Sequence, residues 1–426
     1  MSRTTETGHE NTVQPAPPVR TGQEVLAWLL DPISQAEFES KIYEKRLCFV
    51  NRNAPRYYGQ LLSARDLDTV LCTHAVSPRE VNLVKAGKSV PHDEYVAGNG
   101  RIDPRAVAAE FDDGATVIFG QLQRRVPALA QLCTSLGRVF GSRVQTNVYL
   151  TPPDAQGFSA HWDTHDVFVL QISGRKRWSI HSTETALPLR GQNYEGDRDS
   201  PGPVRQQFEL GPGSVAYIPR GLVHSANATS IGSLHITLGL TSFTWTDLFL
   251  EGVAAAALEE EVLRQNLPIG WSRHSSLTEG YKALYKEKLD VLLSRLDPAP
   301  VWTHFRDQVA IANMPVLTDL LASRIGALPL TLNSRMKRRV DLFVEIEYTN
   351  EHCVVRLPGQ DIRLPRRAFS AVEFAITTRE FRVGDLPDCL DSAGKIALVN
   401  RLVKAALLVP ETGDGSNETE GSCQRT

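Results

Sequence analysis

The stretch "NVYLTPPDAQGFSAHWDTHDVFVLQISGRKRWSIH", residues 147–181, decides the predicted fold. It places four side chains of metal-binding types within six positions, and a long apolar run follows them: His161, Asp163, His165 and Asp166. Alternate residues of a β-strand point to the same face. His161 and Asp163 are therefore predicted to present an imidazole and a carboxylate side by side, as two ligands of one metal ion.

The sequence around this stretch is typical of an antiparallel β fold. From about residue 143 to 245, short strand patterns alternate with Gly and Pro: "VQTNVYL", "VFVLQI", "RWSIH", "QQFEL", "SVAYIP" and "LHITLGL". Strands of this length and spacing indicate a β-sandwich or barrel and not a parallel sheet with crossover helices.

A third metal ligand is predicted in "GPGSVAYIPRGLVHSA", where His224 follows a Pro-Gly turn and a strand. In a double-stranded β-helix, the first and last strands of the minor sheet come together, so His224 can join His161 and Asp163. Two imidazoles and one carboxylate form the set that leaves three positions open on Fe(II). The alternative is that the His-x-Asp pattern arises by chance and its histidine is an ordinary hydrogen-bonded residue.

His165 has the same strand parity as His161 and Asp163, so it competes as a ligand. A cupin that binds metal through three histidines and a carboxylate would use it. However, residues 161–165 span four steps of about 3.3 Å on a straight strand, which is too long for bonds of about 2.0–2.2 Å to one ion. His165 is therefore predicted to be a pocket wall or to contact the metal ligands without binding the metal itself.

Lys176 follows the apolar strand and is predicted to aim its ammonium into the barrel. A buried ammonium needs an anionic partner, and the carboxylate of a cosubstrate would serve. The alternative, which charge alone favours, is that Arg175, Lys176 and Arg177 form a solvated hairpin turn.

Composition narrows the class of protein. Of 426 residues, 46 are Lys or Arg and 49 are Asp or Glu, a net charge of −3 that gives no footprint for nucleic acid. The "RMKRRV" run at residues 335–340 is interpreted as a solvated face. No apolar run reaches the length of a membrane helix. The six cysteines stand alone, which favours a reducing, cytoplasmic setting.

The whole motif text resembles the JmjC-type cupin oxygenases, in particular their ribosomal-oxygenase branch. The resemblance is dense over residues 143–240 and looser over residues 22–140. The family consists of Fe(II)- and 2-oxoglutarate-dependent protein hydroxylases. The resemblance implies an α+β fold with N-terminal helices, a double-stranded β-helix (jelly-roll) core, dimerisation helices and a winged-helix-like C-terminal domain.

The predicted domains follow from this resemblance and from the helical patterns after residue 246. They comprise a disordered lead at 1–21, a JmjC/cupin domain at 22–245, a helical dimerisation region at 246–299, a winged-helix-like domain at 300–410 and a disordered tail at 411–426.

The resemblance also implies roles for individual residues. His161, Asp163 and His224 would bind the iron, and Lys176 would pair with the distal carboxylate of 2-oxoglutarate. Two further side chains would lie beside the cosubstrate, namely Asn147 and Thr237.

On the substrate side, the resemblance implies Tyr149, and we place His165 there as well. Relatives with a known ribosomal target carry Ser shortly after the "LHLTL" strand, where this chain has Gly239. This departure concerns the substrate and not the metal.

Three functions remain open at this stage. The first is a homodimeric hydroxylase that acts on a protein side chain and releases succinate and CO₂. A ribosomal protein is one candidate for its substrate. The second is a tailoring oxygenase for a peptide or amino-acid metabolite. The third is a non-catalytic metal-binding cupin scaffold.

Overall fold

The computed structural model describes residues 22–411 except 53, 183–184, 196–200, 275, 318–319, 322–323, 325–327, 340–341, 343, 350 and 358. The lead predicted at 1–21 and nearly all of the predicted tail lie outside the described residues. The chain forms two compact units that divide between Asn313 and Met314. Among the described helices, none is long and apolar enough to cross a bilayer.

The described part of the first unit contains an antiparallel sheet, with helices before, between and after its strands. Its strands are β1 (Cys48–Val50), β2 (Val81–Lys85), β3 (Lys88–Ser89), β4 (Thr116–Gly120), β5 (Ser142–Thr151), β6 (Asp166–His181), β7 (Val204–Leu210), β8 (Val215–Ile218) and β9 (His224–Ser242). Its helices are α1 (Gly22–Leu30), α2 (Gln35–Glu37), α3 (Ala64–Thr73), α4 (Pro104–Asp112), α5 (Pro127–Phe140), α6 (Trp245–Glu259), α7 (Glu279–Arg295) and α8 (Pro298–Ala312).

Two long strands, β6 and β9, organise this sheet. The strand order is β1-β8-β6-β9-β5-β4-β2-β3, and β7 also pairs with β6. The first half of β6 pairs with β8 and with the end of β9, whereas its second half pairs with β7 and with the start of β9. Both strands thus run through two parts of a folded-over antiparallel sheet. The predicted α+β fold with a jelly-roll core is confirmed.

The bend in the two long strands depends on glycine. Gly174 in β6 and Gly232 in β9 have positive φ angles of 65° and 69°. A Cβ at Gly174 would lie 2.2 Å from the carbonyl oxygen of Gly232. Register shifts on both sides of Gly174 mark β-bulges, which bend a strand and increase its twist. The patterns "VFVLQI" and "RWSIH", predicted as separate strands, are therefore the two halves of β6.

The segment that carries His161 and Asp163 is not the regular strand that the sequence predicts. His161 forms an isolated bridge with His224, and β6 begins only at Asp166. The intervening Trp162 is buried, and the Asp163 carbonyl accepts a hydrogen bond from the Gly221 amide at 3.0 Å. The straight-strand argument therefore does not apply to residues 164 and 165, which form a bend.

Local sequence signals account well for one of the early helices, α3, and poorly for another, α2. Ser63 caps α3 through a capping box with Asp66. The composition of "ISQAEFESKIYEK" is typical of one continuous helix, but the segment forms the short α2 followed by a π-helical turn, Phe38–Ile42.

The boundary between the units lies later than residue 300, where the sequence analysis places it. That position falls inside α8, which belongs to the first unit. Val301 and Ala310 of this helix are buried, and the Asn313 side chain donates a hydrogen bond to the Ser142 carbonyl at 2.9 Å. These contacts fix the end of the helix against β5, and no sequence pattern reports them.

The second unit has the predicted mixture of strands and helices. Its described elements are β10 (Arg335–Arg338), β11 (Glu345–Tyr348), β12 (His352–Leu357), β13 (Gln360–Pro365), α9 (Phe369–Thr377), β14 (Glu380–Arg382), α10 (Ser392–Lys404) and β15 (Leu408–Pro410). The strands form two small antiparallel sheets, ordered β14-β10-β15 and β11-β12-β13. A separate core that includes Met336, Val355, Val372 and Val399 holds this unit together.

Candidate active site

The structure brings the three predicted metal ligands together at the mouth of the jelly roll. The ligand atoms of His161, Asp163 and His224 all lie within 4.8 Å of one another. The His224 Nε2 atom is 3.6 Å from the Asp163 carboxylate, and the two imidazole rings have centroids 4.8 Å apart. His165, the competing ligand, does not join this cluster.

Backbone hydrogen bonds orient both imidazoles in the same way. His161 Nδ1 lies 2.8 Å from the Ser159 carbonyl, and His224 Nδ1 lies 2.9 Å from the Leu222 carbonyl. A carbonyl can only accept, so each Nδ1 carries the proton and each Nε2 keeps a free lone pair for a metal ion. Burial, reinforced by the neighbouring His161, lowers the pKa of His224 to about 4. His224 is therefore neutral near pH 7, as a metal ligand must be.

Asp166 supports the ligands and is not one of them. Its buried carboxylate accepts hydrogen bonds from the Tyr217 hydroxyl at 2.8 Å and from the Arg220 amide and guanidinium at 3.2 and 3.1 Å. Arg220 also pairs with Glu44. This network ties the start of β6 to the turn that precedes His224, and so fixes the two ligand-bearing segments relative to each other.

Lys176 lies deep in the same pocket. Its side chain is 3% exposed, and Nζ donates a hydrogen bond to Thr151 Oγ1 at 3.2 Å. Burial lowers the pKa of Lys176 to about 7, and no described carboxylate counteracts this effect. The solvated-turn interpretation is therefore wrong for Lys176. Arg175 and Arg177, which alternate with Lys176, are solvated as that interpretation has it and pair with Glu209, but they lie within strand β6 and not in a hairpin turn.

The other four predicted site residues line this pocket too: Asn147, Tyr149, His165 and Thr237. Thr237 Oγ1 donates a hydrogen bond to the Asn147 carbonyl at 3.2 Å. The Lys176 ammonium lies 5.7 Å from the centre of the Tyr149 ring, and burial raises the pKa of the Tyr149 phenol. Tyr149 thus contacts the cation end of the pocket.

His165 packs over Gly239. A Cβ built at Gly239 would lie 2.6 Å from two atoms of the His165 ring, so the absence of a side chain there makes room for the imidazole. The ring lines the pocket, and its assignment to the substrate side stays a prediction.

Among the pocket residues that were not singled out from sequence, two carry ring nitrogens: His235 and Trp178. Both are buried, and the His235 ring stacks on Tyr149 with centroids 4.7 Å apart and an interplanar angle of 3°. A signal was available, because His235 alternates with Thr237 along β9 and Trp178 alternates with Lys176 along β6.

The site fits a metal ion at one end and an anion at the other. Two imidazoles and one carboxylate are the donor set of non-haem Fe(II) sites. At the other end a buried ammonium has no described acidic partner, and the buried His235 Nδ1 atom has no hydrogen-bond partner among the described residues. A bound carboxylate would satisfy the donors at that end.

Comparisons with known proteins agree with this geometry. A family model described as JmjC domain matches residues 119–248. Ribosomal oxygenase 1 of Rattus norvegicus is 30% identical over 456 residues, which cover 92% of this chain and 73% of the rat protein. The bifunctional lysine-specific demethylase and histidyl-hydroxylase NO66 of Drosophila willistoni is 31% identical over 273 residues, which cover 62% of this chain.

The chain spans 35% of the length of that Drosophila protein. Among solved structures, ycfD of E. coli has the same fold, with a TM-score of 0.51 and 16% identity over 89% of this chain and 98% of that one.

Proposed function

Because this chain belongs to the JmjC-domain family that includes ribosomal oxygenase 1, we propose that it is an Fe(II)- and 2-oxoglutarate-dependent hydroxylase of a protein side chain. This proposal rests on two features of one pocket. One is the cluster of three metal ligands, and the other is the buried Lys176 ammonium, which has no acidic partner among the described residues. A metal-binding scaffold has no need of the second feature, because burying an unpaired cation is costly.

His161, Asp163 and His224 would hold the iron. Bound iron and 2-oxoglutarate supply the activation of O₂, with succinate and CO₂ as by-products and hydroxylation of a substrate C–H bond as the outcome. The contribution of the protein is to keep both Nε2 lone pairs available through the carbonyls of Ser159 and Leu222. The Asp166 network holds the two ligand-bearing segments in place.

Lys176 would bind the distal carboxylate of 2-oxoglutarate through a charge-assisted hydrogen bond. Asn147 and Thr237 would contact the cosubstrate between Lys176 and the metal. Val167, Val169 and Trp178 form apolar walls of the pocket, which limit the access of water to the reacting groups. The substrate would enter past His165 and Phe158, whose ring is 40% exposed and lies against His161.

The substrate class follows from the relatives. The rat relative is named a ribosomal oxygenase and the Drosophila relative a histidyl-hydroxylase and lysine-specific demethylase. We therefore propose a ribosomal protein as the substrate. Gly239 favours one alternative, a smaller peptide or amino-acid metabolite, because the pocket wall there is formed by His165 and not by a side chain at position 239.

The experiment is a turnover assay on ribosomal proteins stripped of their modifications. Purified protein with Fe(II), 2-oxoglutarate and O₂ is expected to form succinate and to add the mass of one oxygen atom to one protein. His161→Ala should do neither. Loss of a methyl group would instead indicate demethylation. Succinate formation stimulated only by small peptides or amino acids would support the metabolite alternative. Bound iron without any succinate would support a scaffold.

Homodimerisation through residues 246–299 is part of the proposal. Large apolar side chains on α6 and α7 are more than half exposed, including Trp245, Phe249, Leu258 and Leu293. Patches of this kind mark interaction surfaces, and a second copy would cover them. Sedimentation is expected to show a dimer at micromolar concentration, and Phe249→Asp with Leu258→Asp should shift it to monomer. A strict monomer in the unmodified protein would contradict the proposal.

The second unit is proposed to be a winged-helix-like module that binds protein and not nucleic acid. Arg335 and Lys337 of its basic run are exposed on β10 and Lys337 pairs with Glu380, whereas Met336 between them is fully buried. Filter binding of duplex DNA to the whole chain at physiological salt should show no tight association. Tight binding that weakens steeply with salt would overturn this assignment.

A further inference from the structure

His235 is a buried polar residue of the pocket that none of the roles above uses. We propose that His235 is a second polar contact, next to Lys176, for the distal carboxylate of the cosubstrate. This inference rests on the proposed function, because it concerns how the same pocket recognises a dicarboxylate.

The position of His235 is set by rigid elements. It lies on β9 directly opposite Tyr149 of β5, and the two rings stack as a cross-strand pair. The edge of Trp178 closes the other side, with ring centroids 5.8 Å apart and an interplanar angle of 82°. The residue is 2% exposed. Packing of this kind leaves the imidazole little freedom, so its nitrogens are held in place before a ligand arrives.

The hydrogen bonding of His235 is incomplete. Its Nδ1 atom is buried and has no partner in the described part of the protein. Buried polar atoms are nearly always hydrogen-bonded, and an exception calls for an absent water, ion or ligand. Trp178 Nε1 is in the same state, and Lys176 has Thr151 as its hydrogen-bond partner. The unsatisfied nitrogens thus belong to neighbouring side chains of one pocket, and the Trp178 ring lies between His235 and His224.

The charge state of His235 suits a carboxylate. Burial lowers the pKa of His235 well below its ordinary value, and the neighbouring Lys176 lowers it further. The ring is therefore neutral and carries one N–H. One N–H donor beside one ammonium matches the two oxygens of a single carboxylate, without placing two cations side by side.

The test compares two keto acids that differ at the distal end. The Fe(II)-loaded protein is titrated anaerobically with 2-oxoglutarate and with 2-oxobutyrate, which lacks the distal carboxylate. His235→Phe keeps an aromatic ring on Tyr149 but removes the N–H, whereas His235→Asn restores a donor. The matched control is His92→Phe, because His92 also contacts a tyrosine ring, that of Tyr95, but does not line the pocket.

His235→Phe is expected to weaken 2-oxoglutarate binding about tenfold or more, which is the range for a hydrogen bond to a charged group. Binding of Fe(II) and of 2-oxobutyrate should stay unchanged, His235→Asn should recover part of the affinity, and the control should match wild type. Unchanged 2-oxoglutarate affinity in His235→Phe would overturn the inference and leave the proposed function intact. Absence of 2-oxoglutarate binding to the wild-type protein would overturn both.

A measurement on the wild-type protein supports the test should the variants fold poorly. With diamagnetic Zn(II) in place of iron, the ring ¹⁵N resonances of the histidines are recorded with each keto acid. A resonance outside the metal-bound pair should shift with 2-oxoglutarate and not with 2-oxobutyrate. An identical response to both acids would contradict a contact between His235 and the distal carboxylate.

Discussion

The two ends of the pocket are built on opposite principles. At the metal end, His161 and His224 each have one ring nitrogen bonded to a backbone carbonyl, and the other is left for a ligand atom. At the far end, Lys176 and His235 are almost completely buried. The Lys176 ammonium has no acidic partner and His235 Nδ1 has no hydrogen-bond partner among the described residues. The first end is satisfied by the protein except for an ion, whereas the second is satisfied only when an anion is bound.

The two ends therefore differ in what they contribute to the stability of the free protein and to the affinity for a ligand. The metal end costs the free protein little, because its polar atoms are bonded or reach solvent. The far end destabilises the free protein, because a buried ammonium loses hydration that only a ligand replaces. We therefore expect substitutions at the two ends to have opposite effects on stability and binding.

The largest expected effect is the loss of metal binding in His224→Ala. Removal of one of three ligands should abolish detectable Fe(II) binding in anaerobic calorimetry and all succinate formation. The control is His165→Ala, which should bind Fe(II) as wild type does, because His165 lies outside the ligand cluster. The reverse pattern would identify His165 as the ligand and contradict the assigned set.

The next effect concerns Lys176→Met. Loss of the charge-assisted contact should weaken 2-oxoglutarate binding about 100-fold, while the free protein becomes more stable because a buried charge is gone. Ligand titration and thermal unfolding of the same samples check both directions. Arg177→Met should leave both quantities nearly unchanged, since its exposed ion pair contributes at most about 1 kcal/mol. A destabilised Lys176→Met with normal affinity would contradict the contrast between the two ends.

The pH dependence of binding sharpens this point. Burial lowers the pKa of Lys176 to about 7, so above that pH the free protein must take up a proton to present an ammonium to a carboxylate. The 2-oxoglutarate affinity should therefore fall with rising pH, by up to about tenfold per unit. Affinities measured at several pH values in wild type and Lys176→Arg check this, and the arginine variant should show a flat profile. Parallel profiles in the two proteins would contradict it.

The lowered pKa of Lys176 also makes the free energy of unfolding depend on pH. The unfolded chain has Lys176 at its ordinary pKa, near 10.4, so between about pH 7 and 10 the unfolded state binds more protons than the folded one. This residue therefore makes the free protein more stable as pH rises through that window. The increment should be absent in Lys176→Met, as denaturant unfolding at two pH values can show.

The smallest expected effect lies at the substrate side. Gly239→Ala introduces a Cβ into the His165 ring and should destabilise the protein by about 1–3 kcal/mol. Fe(II) and 2-oxoglutarate affinities should stay within about twofold. Adding His165→Ala should restore much of the loss, and a double-mutant cycle from denaturant unfolding measures this coupling. Additive effects would mean that the two positions do not share space.

The sequence predicted the metal end better than the far end for a physical reason. A His-x-Asp pattern and a histidine after a Pro-Gly turn are local signals, and they identified the cluster although the segment is an irregular bridge and not a strand. The burial of Lys176 depends on the packing around both halves of β6. The sequence does not report this packing, and the three cations of "GRKRW" favour a solvated segment. His235 lies in an apolar strand pattern, which does not distinguish it from a core residue. Its contacts with Tyr149 and Trp178, and its unpaired Nδ1, are seen only in the structure.

The measurement that tests the central claim most directly is an anaerobic titration of the Fe(II)-loaded protein with 2-oxoglutarate, followed through the visible absorption band of an iron-chelated keto acid. We expect a saturable band in wild type, no band in His224→Ala, and a band in Lys176→Met that requires much more 2-oxoglutarate. A protein that binds Fe(II) but develops no band, or a Lys176→Met variant that titrates like wild type, would contradict the claim that one pocket joins a metal site to an anion site.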